Sequence, residues 1–216
     1  MRVLLISANT ERRNMPTLPL GLALVAEATR LAGHEVRFLD LMFEERVERA
    51  IRRQASSLRP QVIGISVRNI DDQEMADPDF LLSGVRPVVQ ACRRLCPGAT
   101  IVLGGAGFSI FPRPTLAYLG ADLGIWGDGE RAFPALLQRL REGADPLGIP
   151  GVVVPGEAEC PGAAINEALD GGLLPVEELW SSADPDQADL WVPVQGRRGC
   201  ANDCSYCSTA RIQGRS

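Results

Sequence analysis

Val62-Ile63-Gly64-Ile65-Ser66-Val67 is a short apolar run without helical periodicity, and it opens into a long loop beginning Arg68-Asn69. A continuous run of this length, rich in β-branched residues, is the pattern of a strand covered on both faces. Val3-Leu4-Leu5-Ile6 and Ile101-Val102-Leu103 repeat it, the latter running into Gly104-Gly105-Ala106-Gly107. Weaker versions lie at residues 36–39 and 122–126. Helical patterns fall between these runs. Residues 20–31 are rich in alanine and leucine and stop at Gly33. Residues 44–58 place Val47, Ile51, Ala55 and Leu58 on one face, and residues 81–95 repeat apolar positions at i, i+3 and i+4. A short helix is expected near residues 115–119. A last one opens at Gly127-Asp128-Gly129-Glu130, with Phe133, Leu136, Leu137 and Leu140 inward.

This alternation predicts an α/β fold: a doubly wound, five-stranded parallel sheet of flavodoxin-like, Rossmann type. The expected strand order is 2-1-3-4-5, with the ligand crevice between strands 1 and 3 at their carboxyl ends. The loops at residues 9–19 and 68–78 are longer than the usual two to about six residues of such connections and flank that crevice. From residue 142 to about 190 the pattern dissolves into Pro, Gly, Asp and Glu, with one apolar run at Val152-Val153-Val154. That stretch reads as a linker carrying short strands. Residues 191–195 then read as a further strand.

The chain has 216 residues and a net charge of −5, which argues against nucleic acid as a partner. All 22 basic residues are arginine. No apolar run approaches the ~20 residues of a membrane span, and the opening run reads as a buried strand, not a secretory signal. The six cysteines are therefore expected to be reduced thiols or metal ligands in a cytoplasmic protein. Cys92 and Cys96 fall on the helical pattern at residues 81–95 and read as packing residues.

Cys200, Cys204 and Cys207 stand apart in a C-x3-C-x2-C spacing, with Tyr206 before the last. Thiolates are soft ligands for iron–sulfur clusters, zinc or copper. A four-iron cluster normally takes four thiolates, so three leave one iron open. Half of a zinc site is the alternative, with Cys92, Cys96, Cys160 or His34 as fourth ligand.

At this motif the chain resembles the radical SAM superfamily. That resemblance implies that Cys200, Cys204 and Cys207 ligate a 4Fe-4S cluster whose open iron binds S-adenosylmethionine, with Tyr206 packed beside it. It implies that Gly199 lets the loop turn tightly. Arg197, Arg198, Arg211 and Arg215 would balance nearby charge or form a solvated basic face.

The α/β region lacks the glycine fingerprint of a dinucleotide fold after strand 1, and without lysine it cannot be a receiver domain. It resembles instead the cobalamin-binding domain. Gly104 and Gly105 match that family's paired glycines after strand 4, with Gly107 in the same loop. Gly127, Gly129 and Glu130 match its G-x-G-E turn after strand 5. Glycine lets backbone approach a bulky ligand closely. The loop after strand 1, with Asn9 and Thr10, has no histidine to ligate cobalt, and His34, at the opposite edge, reads as a solvated or capping residue. The resemblance therefore implies cobalamin with its base displaced and no histidine ligand, its lower face covered by Ser66, Val67, Arg68, Asn69 and Ile70.

Together the phrases ISVRNIDD, GGAGFSIFP and RRGCANDCSYC resemble the cobalamin-dependent radical SAM family. The implied organisation is a cobalamin-binding domain at residues 1–142, a linker at 143–190 and the start of a radical SAM barrel at 191–216. A full barrel takes about 250 residues. The expectation is thus the N-terminal part of a longer enzyme, inactive alone. That enzyme would transfer a methyl group from methylcobalamin to an unactivated carbon by 5′-deoxyadenosyl radical chemistry. It would take a small-molecule or natural-product-like substrate and an external electron donor. The alternative is a non-catalytic cobalamin-binding module whose cysteines hold zinc or nothing.

Overall fold

The structure, a computed structural model, describes residues 1–11, 16–72, 74–157, 162–166 and 191–215. Most of the linker expected at 143–190 lies outside these residues, as does Cys160.

Five parallel strands form in the expected places: β1 (Arg2–Ser7), β2 (Glu35–Asp40), β3 (Val62–Ser66), β4 (Thr100–Gly104) and β5 (Leu123–Ile125). A short antiparallel strand, β6 (Val152–Val153), joins at the β5 edge, giving the order β2-β1-β3-β4-β5-β6. The parallel part has the order read from the sequence, and β6 is the apolar run within the expected linker.

The helices are α1 (Leu20–Leu31), α2 (Val47–Leu58), α3 (Leu82–Leu95), α4 (Ala106–Ile110), α5 (Pro112–Leu119), α6 (Gly129–Glu142) and α7 (Thr209–Gln213). Alternation along each strand builds a core on both faces. Leu4, Ile6, Ile63, Ile65, Ile101 and Leu103 pack with α2, α3 and α5 on one side. Val3, Leu5, Val62 and Val102 pack with α1 and α6 on the other. Cys92 is fully buried in the first core, which confirms its packing role.

Three differences from the sequence reading have local causes. Helix α4 was expected to be a glycine loop. Gly105, at φ 95°, ends the strand, and Gly107 sits inside the helix because a side chain there would lie 2.9 Å from the Arg68 backbone. Glycine here serves close packing within a helix, and composition alone reads it as a turn. Residues 191–195 do not form a strand. Trp191 makes one parallel bridge to Thr17, in which the Leu18 N–H donates to the Trp191 carbonyl at 3.1 Å. His34, expected to be solvated or capping, is only 6% exposed, with Nδ1 3.0 Å from the N-terminal nitrogen of Met1. Burial, then the N-terminal charge, then Arg141 push its pKa down. It does lie at the amino edge of the sheet, away from the crevice, as expected.

At the carboxyl edge, Asp40, Ser7, Ser66 and Gly104 stand side by side in register across β2, β1, β3 and β4. Asp40 is 1% exposed, and its Oδ1 accepts the Met42 N–H at 3.2 Å. Burial raises its pKa from 3.8 to about 6, against the lowering effects of the Met42 N–H and the Ser7 hydroxyl. A carboxyl with a raised folded-state pKa favours the fold below the unfolded value, and that contribution is lost as pH rises through about 6. The shift amounts to about 3 kcal/mol. Asp40→Asn keeps the acceptor for Met42 and removes the charge. Urea unfolding should show the variant gaining on the wild type between pH 4 and pH 7, by up to about 3 kcal/mol. A stability difference that does not change with pH would show that Asp40 does not titrate as this burial requires.

Candidate functional site

The carboxyl edge opens into a cavity of about 550 Å³ between the sheet and helices α1 and α6. That is within the size range of small-molecule and cofactor sites. Its floor includes Leu5, Gly64 and Val102, and its helical walls include Leu24, Val25 and Phe133. Ser7, Asn9, Ser66, Arg68, Gly104, Gly105 and Ser109 rim the mouth, together with Gly127, Asp128, Gly129 and Glu130 from the turn that begins α6.

Glycine makes this space. A side chain at Gly104 would point into the opening, its nearest neighbour being the Ile125 carbonyl oxygen 3.8 Å from the Cβ position. Gly105 has a different constraint, since a Cβ there would stand 2.5 Å from the Val67 carbonyl oxygen. Gly127, at φ 94°, presses on Ala164, with which it forms a parallel bridge. The Ser109 hydroxyl joins the two glycine turns, donating to the Gly105 carbonyl at 2.8 Å and accepting the Gly127 N–H at 3.0 Å.

The residues singled out from the sequence divide into three groups. Asn9, Ser66, Arg68, Gly104, Gly105, Gly127, Gly129 and Glu130 meet at the cavity. Val67 and Gly107 stand behind the rim: the Val67 N–H donates to the Gly104 carbonyl at 2.8 Å, and the Val67 carbonyl accepts the Gly107 N–H at 3.0 Å. Thr10 and Asn69 are exposed and do not line the cavity.

The third group is the cysteine loop. Cys200 is half-buried, and Cys204, Tyr206 and Cys207 are exposed, Tyr206 at 91%. Gly199 takes φ 73°, as the expected tight turn requires. The Cys200 N–H donates to the Gly214 carbonyl at 3.1 Å, closing the loop onto the end of α7. Hydrogen bonding from the Thr209 hydroxyl, then from its backbone N–H, lowers the Cys207 pKa. Among the described residues no three His, Cys, Asp or Glu side chains converge as a ready-made metal group. The donor set fits an iron–sulfur cluster in its chemistry, three thiols on one loop, without its sulfurs being gathered.

Two features escaped the sequence reading. Residues 193–198 form one wall of the cavity, held in place by the Trp191–Thr17 bridge. Arg198, read as a counter-charge for the cluster or part of a solvated basic face, is buried. Its guanidinium lies 2.5 Å from Glu130 and 3.6 Å from Asp128. Asp128 also accepts the Asn166 N–H at 2.9 Å, and burial raises its pKa. Arg215 does sit on the surface, paired with Asp203 at 2.6 Å.

The family model described as B12 binding domain matches residues 6–137, from the end of β1 into α6, a span that includes both glycine turns. This chain belongs to the B12-binding family. A tryptophan 2-C-methyltransferase of Streptomyces laurentii is 32% identical over 149 residues, covering 68% of the chain and 25% of the relative. A hopanoid C-3 methylase of Methylococcus capsulatus is 30% identical over 204 residues, covering 92% and 37%. The radical S-adenosylmethionine methyltransferase TsrM from Kitasatospora setae, solved with cobalamin and a 4Fe-4S cluster bound, is 25% identical. It superposes with a TM-score of 0.77 over 99% of this chain and 42% of its own. OxsB, a cobalamin-dependent S-adenosylmethionine radical enzyme, shares the fold at a TM-score of 0.73 and 16% identity, covering 98% of this chain and 29% of its own. The resemblance to cobalamin-dependent radical SAM enzymes is borne out. The chain spans less than half the length of each of these relatives.

Burial ranks the thiols. With a neutral maleimide at pH 7.5, Cys204 and Cys207 should be modified in the folded protein, Cys207 faster because its pKa is lowered. Cys92, whose thiol burial pushes up to about 12, should react only after unfolding. Peptide mapping of the labelled protein reads the order, and early labelling of Cys92 would contradict the packing described here.

Proposed function

We propose that this B12-binding chain holds cobalamin across the carboxyl edge with its base displaced, and that it serves as the cobalamin-binding portion of a radical SAM methyltransferase. The observation that carries this reading is the cavity itself: a glycine-lined slot between the sheet and α1 and α6, opening where the family's paired glycines stand. The nucleotide tail would enter the slot beside Gly104 and Gly127. The first backbone N–H groups of α6, at Gly129 and Glu130, would donate to polar tail groups there. Arg68, whose Nη1 donates to the Thr17 hydroxyl at 2.5 Å, lies on the loop that would face the lower side of the corrin. No described histidine reaches this edge.

Cys200, Cys204 and Cys207 are assigned to a 4Fe-4S cluster that also binds S-adenosylmethionine, with Tyr206 beside it. Bound cobalamin supplies a transferable methyl group, and the cluster with S-adenosylmethionine supplies one-electron chemistry that activates an unreactive carbon. The chain's own part is to bind, orient and exclude water. Residues 193–198 close one side of the slot, and the Ser109 hydroxyl fixes the two glycine turns relative to each other. The relatives' names specify tryptophan and hopanoids, so the substrate class proposed is a small organic molecule methylated at carbon. An external donor would supply electrons, in a reducing cytoplasm that keeps the thiols free. Residues 1–142 are assigned to cobalamin binding, 143–190 to a linker and 191–216 to the cluster region.

The test is anaerobic incubation with hydroxocobalamin, desalting, and a visible spectrum. Retained cobalamin with the bands of the base-displaced form is expected. Gly104→Leu places a side chain into open space, so the variant should fold normally and bind cobalamin at least about tenfold more weakly, a loss of ~1.4 kcal/mol. A colourless wild-type protein, or undiminished binding by Gly104→Leu, would count against this assignment of the slot. Iron and acid-labile sulfide after anaerobic reconstitution test the cluster separately. Their loss in Cys200→Ala, Cys204→Ala and Cys207→Ala is the expected result.

A further inference from the structure

Arg198 stands where the cavity meets the cysteine loop. Its side chain is 4% exposed and bridges Asp128 and Glu130, both at the cavity rim, while Cys200 follows two residues along the chain. A second line of contact runs parallel to it. Asn166 donates its N–H to Asp128, and the neighbouring Ile165 packs on Gly214, where a Cβ would lie 3.1 Å from Ile165 Cγ2. Gly214 in turn accepts the Cys200 N–H. By contrast, Cys204, Tyr206 and Cys207 are exposed, so the cysteines are positioned from either side: by residues 198–200, and by α7, which packs on α4 and whose Ile212 and Gln213 also line the cavity.

The choice of arginine has a physical reason. A planar guanidinium can donate to two carboxylates at once, whereas an ammonium acts as a single point charge. Removing one partner of a buried ionic group strands the others and is strongly destabilising. The three charges therefore move as a unit. A ligand that fixes the turn at Gly129 and Glu130 also fixes the start of the cysteine loop.

We propose that Arg198 is a positioning residue that couples occupancy of the cavity to the order of the cysteine loop. The proposal rests on the cobalamin-binding reading. Cobalamin seated against the α6 turn restrains Asp128 and Glu130, these hold Arg198, and Arg198 holds the first residues of the loop. Linkage makes the coupling reciprocal: whatever orders the loop also tightens cobalamin binding.

Hydrogen–deuterium exchange on the 216-residue chain tests it, with and without saturating hydroxocobalamin. Peptides spanning residues 102–110 report the cavity rim, and peptides spanning 199–211 report the loop without the cavity-lining Ile212 and Gln213. In the wild type, cobalamin should slow exchange in both, by about fivefold or more in the loop if the coupling is of ordinary size. The variant Arg198→Met with Asp128→Asn and Glu130→Gln removes all three charges and strands none. Once its visible spectrum shows cobalamin bound, its rim should still be protected and its loop should not. Arg198→Lys keeps the charge but engages one carboxylate, and should lose about half or more of the loop protection.

Rim protection without loop protection in the wild type overturns the coupling and leaves the cobalamin reading intact. Equal loop protection in the neutral variant also overturns it. Direct contact of cobalamin with Ile212 and Gln213 of α7, which line the cavity, would give that result. No protection at either peptide overturns both readings.

Discussion

The crevice depends on one close meeting of backbones, where the loop after β3 touches the turn after β4. Val67 donates to Gly104 and accepts from Gly107, and Gly105 lies between them in a left-handed conformation with no room for a side chain. Each hydrogen bond contributes only about 1 kcal/mol net. The steric requirement at Gly105 is what makes the arrangement specific. The two loops are drawn together on the side of α4, and the opposite side of the sheet remains open above Gly104. That opening is the slot under α1 and α6. Ser109 extends the same fixing to the Gly127 turn, so two glycine turns that are distant in sequence form one rigid rim.

Around this rim the molecule collects buried polar groups that a plain scaffold would avoid. Asp40 is held in the interior at the end of β2, beside Ser7. Asp128, Glu130 and Arg198 form an ionic group at the start of α6. Buried charge is a weak source of stability, since desolvation offsets most of the attraction. Its value here is directional. Each of these groups fixes the position of a loop at the carboxyl edge, where side-chain or backbone donors are presented to the cavity. The apolar cores on the two faces of the sheet carry the stability, and the polar rim determines shape.

Much of this was legible in sequence because parallel strands buried on both faces leave unmistakable apolar runs. The runs at residues 3–6, 62–67 and 101–103 located β1, β3 and β4, and the right-handed crossover rule limited the orders they could take. The glycine pairs were legible as places of close approach, but their two functions were not separable. Gly104 leaves space for a ligand, whereas Gly107 leaves space for the backbone at Arg68 and lies inside a helix. Residues 191–195 read as a strand from their apolar content, yet a strand exists only where a neighbour completes its ladder, and the structure supplies one bridge to Thr17. Ser109 carried no signal, because a serine in a short helix is ordinary until its hydroxyl is seen between two turns.

Sequence alone determined the α/β class, the strand order, the cobalamin-family glycine turns and the three-cysteine motif. The fold class and the cysteine motif follow from local periodicity and spacing, which neighbouring residues encode directly, whereas the glycine turns were identified by their resemblance to the cobalamin-binding family. Only the tertiary structure decided that residues 193–198 wall the cavity and that Arg198 is a buried partner of Asp128 and Glu130. Arginine at the surface and arginine in an ionic knot look alike in a sequence. What distinguishes them is whether carboxylates from a turn some seventy residues away arrive beside it, and that depends on how the whole chain closes.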